Sequence, residues 1–509
     1  MGEDPRPFLR TPAGLALLAC SAALIFFRLG AGSLANGDDA VFASAVRAAG
    51  RHGAWLDYSW NGARLGFLYP PLHFVLIRAA TALLGQSELA LRLPAALAAW
   101  CAVLATGAIA HRLAGSARAG LVAGLLLCTS ALFFDSARSV RLDATLLAFS
   151  TTCALAYIDA WRSPRRLWMV GVFGGLAVLT KGVLGFVPLV PIAADLCGAG
   201  RGSFRTRHLA VASLSFFLIA ASWHCWQLLR FGSAFVDEYF VYSLFKRVQG
   251  IPGLGEPSRF WADTLKAEGV HVLAWALGVI WAVRRARAKR DARFLLIWML
   301  CPLCIVSISG TRLPQYLVPA LAPMAVACGL ALSRFFERKL AVLAACALAV
   351  AAFLSTSLAV WLDPDLSPGV RDLAALARQR CGQREMVAFD EYHAALEYYA
   401  DSPTVLVTDD ARAYRLLVSP LAMQEGARVE LVRPADVPRR IARTRPVCWM
   451  TSSVFEKRLR VYLGALPPDI RDALEIRKSG SHVLAVERET RPGAGLREAA
   501  VLVSPARLH

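Results

Sequence analysis

The chain has 509 residues, of which 56% are hydrophobic and only 18% are charged. Soluble domains usually carry about 25% charged residues, so this composition excludes an ordinary soluble protein and indicates a membrane protein. The net charge of +19 would also suit a nucleic-acid-binding protein. We exclude that class because the basic residues lie in short runs between apolar segments, not on one folded surface.

Apolar runs of helical length recur along the first 361 residues and predict about eleven transmembrane helices. A shorter run at 72–84 falls below spanning length, so we predict an interfacial or re-entrant helix there. The predicted spans are 12–29, 90–110, 119–134, 144–161, 167–180, 183–197, 209–229, 269–283, 294–309, 314–332 and 340–361.

Loop charges predict the orientation of these spans. With eleven spans, all five basic loops fall on the side of the N-terminus, which the positive-inside rule makes cytoplasmic. Acidic residues gather in the opposite loops. We therefore predict a multi-pass protein of the cytoplasmic (inner) membrane with a cytoplasmic N-terminus and an uncleaved first helix. The basic loops contain Arg112 and Arg118, Arg162 to Arg166, Arg201 to Arg207, Arg284 to Arg290, and Arg334 to Lys339.

The composition changes after Trp361. Residues 1–361 are predicted to form the transmembrane domain, with a first external loop at about 31–89 that carries interfacial helices. Residues 362–509 are predicted to form a small extracytoplasmic α/β domain, because short β-like runs alternate there with helix-like stretches. The fold class predicted is thus an all-α polytopic membrane protein with a C-terminal α/β domain. The β-like runs are 386–389, 404–408 and 447–451, and the helix-like stretches are 391–399 and 438–443.

The cysteines point to no metal or redox centre. Cys301 and Cys304 form a CxxC pattern, but Pro302 and the apolar flanks place it within a span. Cys381 and Cys448 lie in the polar tail and would form a disulfide only if the tail faces an oxidising compartment.

Outer carboxylates and cations are the candidate functional residues. Asp38 and Asp39 follow the first span, and such a pair can bind a metal, act as a base or be solvated. Asp143 begins a span, where a carboxylate can also be a structural helix-end charge. Lys181 and Arg312 lie at the same boundary and need partners there, unless they reach the lipid head groups. Carboxylates facing such cations suit a reaction in which the cations hold a phosphate leaving group and a carboxylate activates an acceptor.

Four short motifs in order along the chain resemble the GT-C membrane glycosyltransferases. The resemblance is closest to the aminoarabinose-transferase-like and protein-O-mannosyltransferase-like branch (glycosyltransferase families 39 and 83). It covers most of residues 10–335 and, more loosely, 390–399. The motifs are Asp38-Asp39-Ala40-Val41-Phe42-Ala43, Arg141-Leu142-Asp143, Leu179-Thr180-Lys181-Gly182 and Arg312-Leu313-Pro314-Gln315-Tyr316.

The resemblance implies a role for each motif. Asp38 corresponds to the principal catalytic aspartate, Asp143 also lines the active site, and Asp39 is a secondary acidic residue. The cations and the tyrosine of the later motifs surround the lipid phosphate in this family. The candidate donor- and phosphate-binding residues are Lys181, Arg312, Tyr316, Arg141, Lys246 and Arg247.

One departure from the family concerns a metal. The aminoarabinose branch takes zinc ligands from a glutamate before the first-loop prolines and from a histidine in a later loop. Here Leu68 and Tyr69 precede Pro70, and no histidine occurs around 243–247. We therefore predict no cofactor and no zinc site of this kind, while the sequence leaves a divalent cation open.

The implied function is transfer of a glycosyl residue from a polyprenyl-phosphate-linked sugar to a cell-envelope acceptor on the outer, periplasmic face of the membrane. The acceptor classes are lipid A or lipopolysaccharide, another glycolipid or glycan, and protein. Asp38 would activate the acceptor, and the anomeric centre would invert. The alternatives are a membrane transporter or lipid-linked-sugar flippase, and a non-catalytic scaffold. The sequence leaves the sugar, the acceptor and the oligomeric state open.

Overall fold

The structure is a computed structural model of the whole chain. It describes residues 7–60, 63–64, 68–200, 202–246, 257–310, 312–333, 339–382, 384–391, 393–402, 404–410 and 429–488.

The chain up to residue 362 forms a helical bundle. Its helices begin at local signals: Thr11 accepts a hydrogen bond from the backbone N–H of Gly14, and Ser87 accepts one from Ala90. The helices are α1 (Pro12–Phe26), α2 (Asp38–Arg51), α3 (Leu72–Leu84), α4 (Glu88–Ala114), α5 (Ala117–Thr129), α6 (Ala131–Ala137), α7 (Asp143–Arg162), α8 (Trp168–Lys181), α9 (Leu189–Cys197), α10 (Thr206–Phe231), α11 (Ser233–Val236), the π-helical α12 (Asp237–Lys246), α13 (Pro257–Glu268), α14 (His271–Arg285), α15 (Arg290–Ile308), α16 (Val318–Leu332), α17 (Lys339–Thr356) and α18 (Leu358–Leu362).

These helices establish a polytopic membrane protein. Within the described ranges, six helices are long and apolar enough to cross a membrane, and two bent helix pairs bring the number to eight if each pair is one span. The pairs α5–α6 and α13–α14 bend by 72° and 104°. Each of the eleven predicted runs contains a helix, but α1 has 15 residues and α9 only nine, which is short of a full span. The count of eleven therefore stays a prediction.

Two buried arginines hold the end of α1. Arg92 on α4 donates to three backbone carbonyls within 29–33 at 2.7–3.0 Å, and Arg138 donates to two carbonyls within 25–27, both at 2.8 Å. The last carbonyls of a helix lack intrahelical partners, and Arg138 satisfies two of them, whereas Arg92 binds the segment that follows the helix. The contacts determine where the chain leaves the bundle and therefore where α2 begins.

A six-stranded sheet follows the bundle. Its order is β5-β4-β3-β6-β8-β7; the pairs β5–β4, β4–β3 and β3–β6 are parallel, and the pairs β6–β8 and β8–β7 antiparallel. A two-stranded hairpin, β1 (Ser59–Trp60) and β2 (Ala63–Arg64), lies in the first loop. The sheet strands are β3 (Met386–Phe389), β4 (Thr404–Thr408), β5 (Val429–Leu431), β6 (Cys448–Ser452), β7 (Leu474–Ser479) and β8 (His482–Glu487), and its helices are α19 (Val370–Cys381), α20 (Ala394–Ala400), Val437–Arg443, Glu456–Gly464 and Pro468–Asp472.

The sheet region and the first loop share one core. Buried side chains of α2 and α3 pack against those of α19, α20 and the sheet. Polar contacts join the same surfaces: Asp401 pairs with Arg47 at 3.3 Å and with Arg51 at 2.5 Å, and the Asn36 side chain accepts a hydrogen bond from the backbone N–H of Ala395. The two regions therefore lie at the same end of the bundle.

Cys381 at the end of α19 and Cys448 at the start of β6 form a disulfide that links two residues 67 positions apart in the sequence. We expect the Cys381→Ser/Cys448→Ser variant to lower the free energy of unfolding of this region by about 4 kcal/mol, because the open chain gains loop entropy when unfolded. Denaturant unfolding of the purified protein, followed by proteolysis of the region, measures the effect. Reductant should weaken the wild type but not the variant; equal stability of oxidised and reduced wild type would contradict the prediction.

Candidate active site

The two first-loop aspartates occupy the first turn of α2. Gly37 precedes them with φ of 106°, a conformation that favours glycine, and this turn directs α2 back over the bundle. The partial positive charge of a helix N-terminus stabilises carboxylates in its first turn. Asp38 is exposed, whereas Asp39 is buried. Neighbouring residues on a helix point in different directions, so the two carboxylates lie in different surroundings.

Asp38 faces a small polar pocket of about 80 Å³. Five of the residues predicted from the sequence meet there, although more than 270 positions separate the first from the last. They come from α2, from the turn before α7, from the end of α8 and from the turn Pro314–Leu317 before α16. The pocket is lined by Asp38, Phe42, Tyr69, Arg141, Leu142, Asp143, Lys181, Leu313, Gln315 and Tyr316.

Asp143 and Lys181 form an ion pair in this pocket. The Lys181 Nζ lies 2.5 Å from the Asp143 Oδ1, and the two side chains are only 9% and 4% exposed. The same ammonium lies 5.2 Å from the centroid of the Tyr316 ring, a favourable cation–π distance. The pair therefore holds a cation at the pocket wall with little freedom to move.

Arg141 contacts carboxylates from two segments of the chain. Its guanidinium forms an ion pair with Asp135 and lies 3.9 Å from the Asp39 carboxylate. Its side chain is 17% exposed and also lines the pocket. A ligand in the pocket can therefore reach the Arg141 guanidinium, which is the predicted phosphate contact. The position of this guanidinium depends on carboxylates that come from both loops.

Asp39 does not line the pocket, but it contacts a segment that does. Its Oδ1 accepts a hydrogen bond from the backbone N–H of Val140 at 3.2 Å, which ties α2 to the segment that carries Arg141. No hydrogen-bond donor among the described residues reaches its Oδ2. Burial raises the pKa of Asp39 to about 6, although the positive charge of Arg141 opposes that rise.

This raised pKa predicts a pH-dependent stability. The folded state disfavours ionised Asp39, so its stability contribution is complete below pH 4 and is lost as the pH rises to about 6. We expect Asp39→Asn, which cannot ionise, to gain about 3 kcal/mol relative to the wild type between pH 3 and pH 7. Unfolding free energies of both proteins across this range measure it, and a difference that does not change with pH would contradict it.

An apolar cleft of about 260 Å³ adjoins the polar pocket. Tyr69, Lys181 and Tyr316 line both spaces, so the ammonium of Lys181 lies where they meet. The remaining walls come from α15, α16 and the turn after α8, and most of them are hydrocarbon. The other lining residues are Leu68, Gly182, Val183, Leu184, Tyr239, Pro302, Ile305, Val306, Ile308, Ser309 and Pro319.

His73 is a supporting residue that the sequence reasoning missed. Its Nε2 lies 2.7 Å from the Val140 carbonyl, and its Nδ1 lies 2.9 Å from the Thr145 Oγ1. Burial lowers the pKa of this histidine to about 4, so the ring is neutral; the Nε2–H donates to the carbonyl and Nδ1 accepts from the hydroxyl. His73 thereby joins α3 to the segment that carries Arg141 and Asp143. Its position two residues after the proline pair Pro70-Pro71 is the sequence signal that could have identified it.

Tyr239 of α12 was also missed. Its hydroxyl lies 2.8 Å from the Nε2 of His224 on α10, and it contacts the backbone of Gly182, where a Cβ would collide with it. Gly182 also has a φ of 56°, so glycine is required there for two reasons. No sequence pattern indicated this contact, because it joins residues that lie far apart in the chain.

The other predicted cations are placed differently. Arg312 donates to the carbonyls of Ser307 and Ser309 at 2.8 and 2.9 Å, at the end of α15, and does not line either space. Lys246 ends α12, and Arg247 lies outside the described residues. Their contact with a donor phosphate stays a prediction.

The first-loop residues do not fit the zinc site of the aminoarabinose branch. Leu68 and Tyr69 line the apolar cleft at the position of the family's ligand, and neither offers a carboxylate or an imidazole. In the ranges that the structure describes, no three His, Cys, Asp or Glu side chains converge as a metal site requires.

Comparisons with known proteins agree with this architecture. Residues 69–226 match the family described as dolichyl-phosphate-mannose-protein mannosyltransferase. An uncharacterized protein of Aquifex aeolicus is 25% identical over 308 residues, which is 60% of either chain. The undecaprenyl phosphate-alpha-4-amino-4-deoxy-L-arabinose arabinosyl transferase of Pseudomonas aeruginosa is 27% identical over 294 residues, 55% of this chain and 52% of that one. The chain thus spans little more than half the length of these relatives.

Solved structures share the fold. ArnT from Cupriavidus metallidurans, solved bound to undecaprenyl phosphate, superimposes with a TM-score of 0.72 at 18% identity and covers 93% of this chain and 98% of its own. The mycobacterial arabinofuranosyltransferase AftD reaches a TM-score of 0.52 at 13% identity, over 94% of this chain and 40% of its own.

The chain is thus similar, over part of its length, to this mannosyltransferase family and to aminoarabinose transferases, and it shares the fold of ArnT and AftD. These are relatives of the kind that the four motifs resemble.

Proposed function

We propose that the protein transfers a sugar from a polyprenyl-phosphate donor to an acceptor of the cell envelope. The observation that carries this proposal is the junction at Lys181, where a pocket with two carboxylates meets a hydrocarbon-lined cleft. A polyprenyl-phosphate sugar has the same three parts: a polar sugar, an anionic phosphate and an apolar chain. The sugar would occupy the polar pocket, the phosphate would contact Lys181, and the chain would follow the cleft.

In the proposed reaction, an acceptor oxygen forms a bond to the anomeric carbon while the bond from that carbon to the phosphate oxygen breaks. The hydroxyl proton passes to Asp38, the exposed carboxylate of the pocket. The electron pair of the broken bond stays on the lipid phosphate, where Lys181 and Arg141 stabilise the charge. Attack from the face opposite to the phosphate inverts the anomeric centre.

Asp143 has a different role in this proposal. Its carboxylate is already paired with Lys181, so it orients the ammonium toward the pocket. It also lines the pocket and is within reach of the sugar hydroxyls. We therefore assign proton transfer to Asp38 and positioning to Asp143.

The names of the relatives support the proposed donor class. The named transferases act, by name, on undecaprenyl phosphate-linked 4-amino-4-deoxy-L-arabinose. We propose an undecaprenyl-type donor for this chain, carrying a pentose or hexose, and a glycolipid of the lipid A class as acceptor. A transporter or flippase would bind its substrate near the bilayer midplane, whereas this pocket is built by turns at one end of the helices.

The proposed topology has eleven spans, a cytoplasmic N-terminus and an extracytoplasmic domain at 362–509. The disulfide between Cys381 and Cys448 supports an oxidising compartment for that domain. The core that it shares with the first loop supports a common side for both, and hence an active site at the outer face.

Mass spectrometry of envelope glycolipids and glycans tests the proposal. A strain without the gene should lack one sugar substituent, and the wild-type gene should restore it. An unchanged envelope profile under conditions in which the protein is present in the membrane would contradict sugar transfer.

A further inference from the structure

A second cavity, of about 480 Å³, lies at the opposite end of the bundle from the active-site pocket. Helix α15 connects the two ends: Asp291 in its first turn lines this cavity, and Ser309, which follows its last residue, lines the apolar cleft. A helix of its 19 residues is about 28 Å long. The cavity is therefore separate from the proposed site of sugar transfer.

Helices α14 and α16, which both line this cavity, pack closely against each other. At Gly278 the two helices touch: an added Cβ would lie 2.7 Å from the carbonyl oxygen of Met324 and 3.2 Å from the amide nitrogen of Cys328. Toward the end of α14 the larger side chains of Trp281 and Arg284 line the space between the helices. The close approach at Gly278 thus leaves no room for a side chain between the two helices at that position.

The cavity has an apolar wall. Leu277, Ile280 and Trp281 of α14 form one side, and Leu113 of α4 and Leu330 of α16 form the other. Leu277 and Ile280 are exposed large hydrophobic residues, at 38% and 48%. Such a surface between transmembrane helices suits hydrocarbon chains.

The rim of the cavity is cationic. Arg284, Arg285 and Lys289 line it, against the single carboxylate of Asp291. Within the described part of the chain, none of the three cations forms an ion pair; the Arg285 guanidinium lies 5.8 Å from the centroid of the Trp281 ring. Asp291 lies in the first turn of α15, where the helix N-terminus stabilises its charge. Three cations that form no ion pair with a described carboxylate thus border a hydrocarbon surface.

We propose that this cavity binds an anionic phospholipid of the cytoplasmic leaflet. The lipid phosphate contacts Arg284, Arg285 and Lys289, and its acyl chains lie along the apolar wall. Basic pockets between transmembrane helices on the cytoplasmic side bind anionic head groups in this way, and a soluble anion would leave the apolar wall unused. The basic loop at Arg284 to Arg290, from which the orientation of the spans was predicted, thus also binds a lipid head group. The inference does not depend on sugar transfer.

Native mass spectrometry of the full-length chain in detergent tests this site, with dioleoyl phosphatidylglycerol as the anionic probe and dioleoyl phosphatidylcholine as the zwitterionic one. We expect Arg284→Gln/Lys289→Gln to bind phosphatidylglycerol about 25-fold more weakly, since each basic residue contributes a factor of about five at an anionic surface. The matched control, Arg287→Gln/Arg293→Gln, removes the same charge from two residues of the same stretch that do not line the cavity. It should bind as the wild type does.

Three results would overturn the proposal. Equal weakening in both variants would mean that only the net charge of the loop matters. Equal binding of the two lipids by the wild type would mean that the cations do not select the phosphate charge. If inorganic phosphate at millimolar concentration displaced phosphatidylglycerol, the site would be a general anion site. Both variants should retain sugar transfer, so failure of this inference is distinguishable from failure of the proposed function.

Discussion

Replacement of Asp38 by Asn is expected to lower the rate of sugar transfer by about 10³-fold, the usual contribution of a general base. Asn retains the size of the side chain but cannot accept the acceptor's proton. Asp38 is exposed and at the first position of α2, so the loss of helix-terminal charge should cost only about 0.5 kcal/mol of stability. A transfer assay with purified protein and donor lipid, combined with thermal unfolding, separates the two effects.

The matched control is Asp57→Asn, which makes the same change in the same loop. Asp57 is 38% exposed, lies 3.8 Å from Arg230 and does not line the pocket. It should transfer sugar within about twofold of the wild type, because exposed ion pairs contribute little. Transfer by Asp38→Asn at a rate near that of this control would mean that another group removes the proton.

Replacement of Lys181 by Met is expected to abolish detectable transfer and also to destabilise the fold by about 3–5 kcal/mol. The Asp143 carboxylate is 4% exposed, and without Lys181 it would remain buried beside an apolar side chain. Removal of one partner of a buried ion pair has this effect because the other charge is left uncompensated. Thermal unfolding and the transfer assay measure the two consequences.

The double variant Lys181→Gln/Asp143→Asn separates stability from catalysis. Its neutral amides can hydrogen-bond to each other, so most of the lost stability should return. Transfer should remain absent, because no ammonium faces the departing phosphate. Recovery of activity in the double variant would show that Lys181 has only a structural role.

Sequence patterns predicted which residues line the pocket, but not which of them form ion pairs with one another. The four motifs contain Asp38, Arg141, Asp143, Lys181 and Tyr316, and all five line one pocket. Short motifs report which residues are present, and a topology count reports which end of the bundle they share. Neither determines which charges pair.

The tail shows a similar limit. The runs 386–389 and 404–408 coincide with β3 and β4, because central strands covered on both faces are continuously apolar. Strand β7 carries charged residues such as Arg477 on an edge of the sheet and lacks that signal. The packing of this region against α2 could not be predicted from the sequence either, because it depends on surfaces that lie far apart in the chain.

The sequence by itself determined the membrane class, the resemblance to the aminoarabinose-transferase-like branch and the residues that gather at one end of the bundle, because hydropathy, loop charge and short motifs are local properties. Only the tertiary structure decided how deeply each residue is buried there and which partner it contacts. Burial separates Asp39 from Asp38, and proximity pairs Asp143 with Lys181. Arg312 binds helix-end carbonyls outside the pocket. Burial and pairing depend on neighbours from distant segments, and those neighbours exist only once the chain has folded.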